Sequence, residues 1–304
     1  MGPEDFKEFW KSKIQLFSKT KLRTIFPGEW ESLYSGDGIE FSKIKPFEPE
    51  DDPRALDLHT LLQSGEEEVI ERVVERQMRI YVCLDFSGSM RRSEAMFFSQ
   101  KPEIKDVAIG LLLFSACNAY SPVGFFAFND EIKTFFPARS GERYCWEILD
   151  WIIHEEYRGS RSPTNVQHAL SSLTERASSQ SLVFWVSDFE DPAFDGDVSE
   201  LFRPAAKKFD FVPVVIRDPL ETAAHLKASA RVILNDSEGD GKTEVYLTPQ
   251  KLKEFQESSA RHVLGLESGF REAGIEHVVL DSPSIESCQD IFSGFFQARK
   301  RTKR

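Results

Sequence analysis

Ile80-Tyr81-Val82-Cys83-Leu84-Asp85-Phe86-Ser87-Gly88-Ser89-Met90 decides the fold. An unbroken apolar run of this length is the pattern of a strand buried on both faces, and such strands belong to parallel sheets covered by helices. The strand runs directly into an Asp, two Ser and a Gly. In open α/β sheets, ligands bind just past the carboxyl ends of strands. The oxygens placed there are hard donors, suited to Mg²⁺ or Mn²⁺ rather than to zinc. Taken alone, Asp85-x-Ser87-x-Ser89 fits an ordinary polar turn equally well.

Working outward, the pattern stays regular. Spacing predicts strands over 79–84, 123–128, 132–136, 182–186 and 209–216, and helices over 102–120, 142–154 and 164–177. Pro102 falls in the first turn of its helix, where its missing N–H costs nothing. Apolar strands alternating with helices define the fold class: α/β, a doubly wound, mostly parallel sheet of the Rossmann type. After Arg217 the rhythm breaks. Residues 231–234 and 244–247 flank a polar, Gly-containing turn and read as a hairpin. A long helix over 249–273, a last strand over 277–280 and a closing helix over 285–298 follow.

Upstream, Phe6, Phe9, Trp10, Ile14 and Phe17 make 4–18 an amphipathic helix. Residues 28–64 are irregular, with two short strand-like pieces. Residues 66–78 are open between strand, favoured by Val-Ile and Val-Val steps, and helix, favoured by their Glu and Arg content. The hairpin is expected to pair with strand pieces from 39–78 into a small side sheet. The expected organisation is an N-terminal helix and β side segment over 1–78 and a core over 79–218. A hairpin insertion joining the side module covers 219–248, and C-terminal helices with the last core strand cover 249–304.

Composition narrows the function classes. The chain has 304 residues, 40% of them hydrophobic and 26 of them Phe, enough for a substantial core. The formal charge of −12 argues against nucleic acid as the main partner. No run approaches the roughly 20 apolar residues that span a bilayer. Met1-Gly2-Pro3-Glu4-Asp5 begins no basic-then-apolar leader, so a cytoplasmic protein is expected. Cys83, Cys117, Cys145 and Cys288 are widely spaced and read as reduced thiols. The basic end, Arg299 to Arg304, reads as a solvated helix terminus complementing the helix dipole.

A metal at Asp85, Ser87 and Ser89 needs oxygens from other loops. Ser160-Arg161-Ser162-Pro163-Thr164-Asn165 opens a helix, so Thr164 can face the site. The strand Leu182-Val183-Phe184-Trp185-Val186 ends in Ser187-Asp188, which offers a second carboxylate. The hydroxyls are neutral, so a cation on Ser87, Ser89 and Thr164 stays electrophilic. Asp85 and Asp188 would hold it directly or through water, and a partner's carboxylate would complete the shell.

Other motifs fail on a required residue. Gly241-Lys242-Thr243 imitates the end of a phosphate-binding loop, but Asp236 stands where Gly is needed and a strand pattern follows. Asp236, Glu238, Asp240 and Gly241 imitate a calcium loop, but Leu247 stands where a bidentate Glu is needed. Aspartate-based phosphatases use Asp-x-Asp, and Ser87 cannot act as the second, acid/base residue. No catalytic residue is therefore assigned. A metal-dependent hydrolase or phosphotransferase using the same carboxylates is the alternative to a binding module, and a structural protein with an empty site is the third reading.

The spacing Asp85-x-Ser87-x-Ser89, with Thr164 and Asp188 on later loops, resembles the metal-ion-dependent adhesion site (MIDAS) of von Willebrand factor A-type domains. Flanking segments narrow the resemblance. Gly38-Ile39-Glu40-Phe41, Phe47-Glu48-Pro49-Glu50-Asp51-Asp52-Pro53-Arg54-Ala55-Leu56-Asp57 and Arg217-Asp218-Pro219-Leu220-Glu221 are similar to signatures of a bacterial family, domain of unknown function fifty-eight. Glu50 stands where that family has Gly, and Leu58 where it has Trp. Arg54, between acidic residues and Asp57, reads as a bridge between carboxylates. The resemblance implies a metal-dependent partner or adaptor acting with a MoxR-type AAA+ ATPase or its client in protein maturation.

Overall fold

The computed structural model describes residues 40–48, 60–62, 65, 68–74, 78–91, 99–158, 164–194, 196–222, 230–235 and 242–302. The expected helix over 4–18, most of 28–64 with Asp51-Asp52-Pro53-Arg54, and the loop 159–163 lie outside them. The chain divides into two compact units, one of them Glu29–Met78 and the other the remainder.

In the smaller unit, β1 (Glu40–Pro46) pairs antiparallel with β2 (Glu68–Val74), from Glu40 opposite Val74 to Pro46 opposite Glu68. Within the ambiguous stretch 66–78, Glu68–Val74 is strand, in keeping with its β-branched composition.

The larger unit is built in chain order from β3 (Ile80–Asp85), α1 (Lys101–Asn118), β4 (Val123–Phe128), β5 (Ile132–Arg139), α2 (Glu142–Arg158), α3 (Val166–Arg176), β6 (Leu182–Ser187), α4 (Val198–Lys208), β7 (Asp210–Ile216), α5 (Pro219–Thr222), β8 (Ala230–Asn235), β9 (Lys242–Leu247), α6 (Pro249–Glu272), β10 (Val278–Leu280) and α7 (Ile285–Thr302). Six strands form one sheet in the order β10-β7-β6-β3-β4-β5. All neighbours are parallel except β4 and β5.

Alternation along the strands divides the core. Tyr81, Cys83, Phe126, Phe128, Val183 and Trp185 face α3, α4 and α6, where Leu173, Phe202 and Phe270 meet them. On the other face Phe125 meets Trp151 of α2, and Phe184 meets Phe292 and Phe296 of α7. Of the 18 residues of α1, 15 are buried, as befits a helix covered all round. No helix among the described residues is long and apolar enough to cross a membrane. None of the four cysteines forms a disulfide, and burial pushes Cys145 up to about 12.

Two features qualify the sequence expectations. Among the described residues the hairpin is a two-stranded sheet of its own. β8 pairs over its whole length with β9, from Ala230 opposite Leu247 to Asn235 opposite Lys242, as β1 does with β2. Closing a short loop costs little, which favours such local ladders. Second, a helix absent from the sequence reading, α4, lies between β6 and β7. Pro204 inside it masks the spacing of Val198, Phe202 and Ala205, while Asp197 caps its start by accepting from Glu200 N–H.

Candidate metal centre at the sheet switch point

β3 is the strand from which the chain turns both ways: β4 lies on one side and β6 on the other. The carboxyl ends of β3 and β6 therefore flank the crevice where strand order reverses, the usual ligand position in such sheets. Asp85 ends β3 there and is 2% exposed.

Three donors organise Asp85. Its Oδ1 accepts from Ser87 N–H at 2.9 Å and from the Thr164 hydroxyl at 3.3 Å. Its Oδ2 accepts from the Ser187 hydroxyl at 2.7 Å. Ser187 Oγ in turn accepts from Phe189 N–H at 3.0 Å, steadying the backbone where Phe189 takes φ 56°. The Ser87 and Ser89 hydroxyls lie 3.1 Å apart, on a turn closed by Met90 N–H to Ser87 O. Thr164 is placed from the β4 side: Asn165 N–H donates to Asn129 O at 2.8 Å, and the Asn165 side chain caps α3 at His168 N–H.

Asp188 sits beyond the end of β6, 4% exposed. Its Oδ2 accepts from Lys101 Nζ at 3.1 Å and its Oδ1 from Glu190 N–H at 3.4 Å. The same ammonium lies 2.7 Å from Glu190 and 3.0 Å from Glu221. Glu221 also takes Arg217 Nε at 2.6 Å and the Ser259 hydroxyl at 3.3 Å. Asp218 accepts from Gln100 N–H at 2.9 Å, at the start of α1. The segment Asp218-Pro219-Leu220-Glu221 is thus a brace between β7 and the first turn of α1.

Electrostatics follow from this layout. Burial, and then the nearby charge of Asp188, raise Asp85 from its ordinary 3.8 to about 7, against the lowering effect of its hydrogen bonds from Ser187 and Ser87. Burial alone would lower Lys101, but Asp188, Glu190 and Glu221 outweigh it and hold the ammonium charged well above the usual lysine range.

The donor set fits a hard divalent cation. Among the described residues no group of three or more His, Cys, Asp and Glu side chains is arranged to hold a metal, so a carboxylate-only or soft-ligand site is not formed. Two mutually repelling buried carboxylates beside three hydroxyls are what an oxygen-preferring cation requires.

The structure gathers Asp85, Ser87 and Thr164 by direct hydrogen bonds, and Ser89 through Ser87. Asp188 is brought within electrostatic reach of Asp85, but its oxygens are engaged by Lys101 and by Glu190 N–H. Sequence reading passed over Ser187, Lys101, Glu190 and Glu221 as parts of the site. For Lys101 the available signal was a lysine opening an otherwise apolar helix.

Sheet order and one antiparallel edge strand define a doubly wound, Rossmann-type α/β domain, with the strand-end Asp and its hydroxyl loop at the switch point. The chain belongs to the family described as protein of unknown function DUF58, which matches residues 43–264. It is 21% identical over 249 residues to the uncharacterized protein Rv1480 of Mycobacterium tuberculosis, covering 82% of this chain and 76% of that one. Uncharacterized protein Mb1516 of Mycobacterium bovis gives the same figures. Among solved structures, BatB from Bacteroides thetaiotaomicron is similar at TM-score 0.43 and 13% identity, over 73% of this chain and 99% of that one. Proximal thread matrix protein 1 of the mussel byssus, in a structure with a zinc-occupied MIDAS motif, is similar at TM-score 0.37 and 14% identity, over 72% of this chain and 47% of that one.

Proposed function

We propose that the protein is a metal-dependent protein-binding module and not an enzyme. Ser87, Ser89 and Thr164 would hold Mg²⁺ or Mn²⁺, with Asp85 and Asp188 balancing its charge directly or through water. A cation bound there supplies a Lewis-acidic position for a carboxylate of a partner protein. The observation that carries this reading is the hydrogen bonding of Asp85 to Ser87, Thr164 and Ser187 at the switch point. These bonds hold the Asp85 carboxyl in place between three donors from separate segments, which suits a fixed support for a cation. The partner suggested by the family resemblance is a MoxR-type AAA+ ATPase or its client.

The test is calorimetric titration with Mg²⁺ and Mn²⁺, alongside binding to a MoxR-type ATPase from the same genome with metal or with chelator. Saturable metal binding, lost in Ser87→Ala/Ser89→Ala with an unchanged circular-dichroism spectrum, and chelator-sensitive partner binding are expected. Absence of metal binding at millimolar concentrations, or robust phosphate-ester turnover lost in Asp85→Ala, would overturn the reading.

A further inference from the structure

Lys101 is out of place by composition. It opens the buried helix α1, is 4% exposed, and its ammonium lies against three carboxylates, Asp188 at 3.1 Å, Glu190 at 2.7 Å and Glu221 at 3.0 Å. A buried ammonium is retained only where paired charges compensate its lost hydration. Here the compensation comes from two directions. Asp188 and Glu190 belong to the loop after β6, and Glu221 to the brace after β7, itself pinned by Arg217 and Ser259. The ammonium is thus held beside Asp188 by two further carboxylates on separate loops.

We propose that Lys101 is a positioning residue that tunes the metal centre by claiming Asp188. The proposal rests on the metal-binding reading above and deepens it. An ammonium hydrogen-bonded to Asp188 Oδ2, with Oδ1 engaged by Glu190 N–H, withholds most of that carboxylate's charge from a neighbouring cation. Two consequences follow from the charges alone. The centre binds a bare divalent cation more weakly than two free carboxylates and three hydroxyls would. The cation it does bind stays short of negative charge, and so takes up an incoming carboxylate more strongly. Lys101 thereby shifts binding strength from the metal alone to the metal with an anionic partner group. Glu221, although outside the metal-ligand set, shares in this by fixing where the ammonium sits, which gives the Asp218-Pro219-Leu220-Glu221 segment a role at the site.

The experiment uses the full chain and Mn²⁺ as the probe, with affinity read by electron paramagnetic resonance of free Mn²⁺. Acetate serves as the carboxylate probe, read by the water-proton relaxation of the bound ion. Lys101→Met is expected to tighten Mn²⁺ at least tenfold and to raise the acetate concentration needed for half-effect severalfold. Lys101→Arg, which keeps the charge, is expected to stay near wild type in both. If circular dichroism shows Lys101→Met unfolded, Lys101→Gln, which keeps a donor without the charge, replaces it with the same expectation. Unchanged or weaker Mn²⁺ binding in the neutral variants, or an unchanged acetate response, overturns the proposal. Failure of the wild-type chain to bind Mn²⁺, or binding that survives Ser87→Ala/Ser89→Ala, instead overturns the metal centre on which it rests.

Discussion

Asp85→Asn should make the metal-free protein more stable at pH 8, although it removes a residue at the heart of the site. Burial and Asp188 raise the Asp85 carboxyl from 3.8 to about 7, a penalty on the charged form of about 4 kcal/mol. A carboxyl whose folded value lies above its unfolded one holds its proton better in the fold. Its stabilising contribution is complete below about pH 4, declines between pH 4 and 7, and is lost above. Asparagine has no such dependence. Its carbonyl can keep the bonds from Ser87 N–H and Thr164, while its amide must face Ser187 Oγ, which then accepts instead of donating. Allowing about 1–2 kcal/mol for that rearrangement, the variant should gain about 2–3 kcal/mol at pH 8 and nothing, or a small loss, at pH 4. At 2–4 °C per kcal/mol the gain is roughly 4–12 °C in Tm. Thermal unfolding followed by circular dichroism in chelator, at pH 4, 6 and 8, measures it. Added Mg²⁺ should then raise the Tm of the wild type and leave the variant unmoved. A variant less stable than wild type at pH 8 in chelator, or a gain that does not grow with pH, would refute the reasoning.

Other outcomes follow from the same geometry. Metal affinity should rise from pH 5 to about 7 and level off above, because the proton on Asp85 must leave first; the calorimetric enthalpy should vary with buffer below pH 7 and not above. Ser187→Ala removes the hydroxyl between Asp85 and Phe189 N–H, and should cost about 1–3 kcal/mol in denaturant titrations while weakening Mn²⁺ binding. Gly124→Ala should destabilise by about 1–3 kcal/mol, since a Cβ there would lie 2.5 Å from the Tyr81 ring and 2.8 Å from Phe136 O. Metal binding in that variant should be retained, which titration at a temperature where it is folded will check.

The centre of the fold was legible because its physics is local. The Ile80–Asp85 strand announces burial by its own composition, and α1 and β6 by theirs. Asp85, Ser87 and Ser89 lie within five positions, so their convergence was visible as spacing. Thr164 and Asp188 could be proposed because each follows a recognisable element boundary. What stayed hidden depends on contacts between distant segments. Lys101 lies just outside the helix expected over 102–120, and nothing marks it until the loops after β6 and β7 bring three carboxylates to it. Glu221 reads as part of a motif with no evident task until that ammonium arrives. In α4, Pro204 overrode a periodicity that capping by Asp197 and the burial of Phe202 sustain.

The hydrogen bond from Ser187 to Asp85 spans 102 positions, that from Thr164 spans 79, and that between Lys101 and Asp188 spans 87. Pairing of β3 with β6 must close a loop of about that size before the Ser187–Asp85 bond exists, a slow step in folding. During synthesis at roughly 5–20 residues per second, the Asp85 strand waits on the order of 5–20 seconds for its neighbour. The candidate metal centre is therefore a late product of folding: a nascent chain that carries Asp85-Phe86-Ser87-Gly88-Ser89 in full has the letters of the site and none of its geometry.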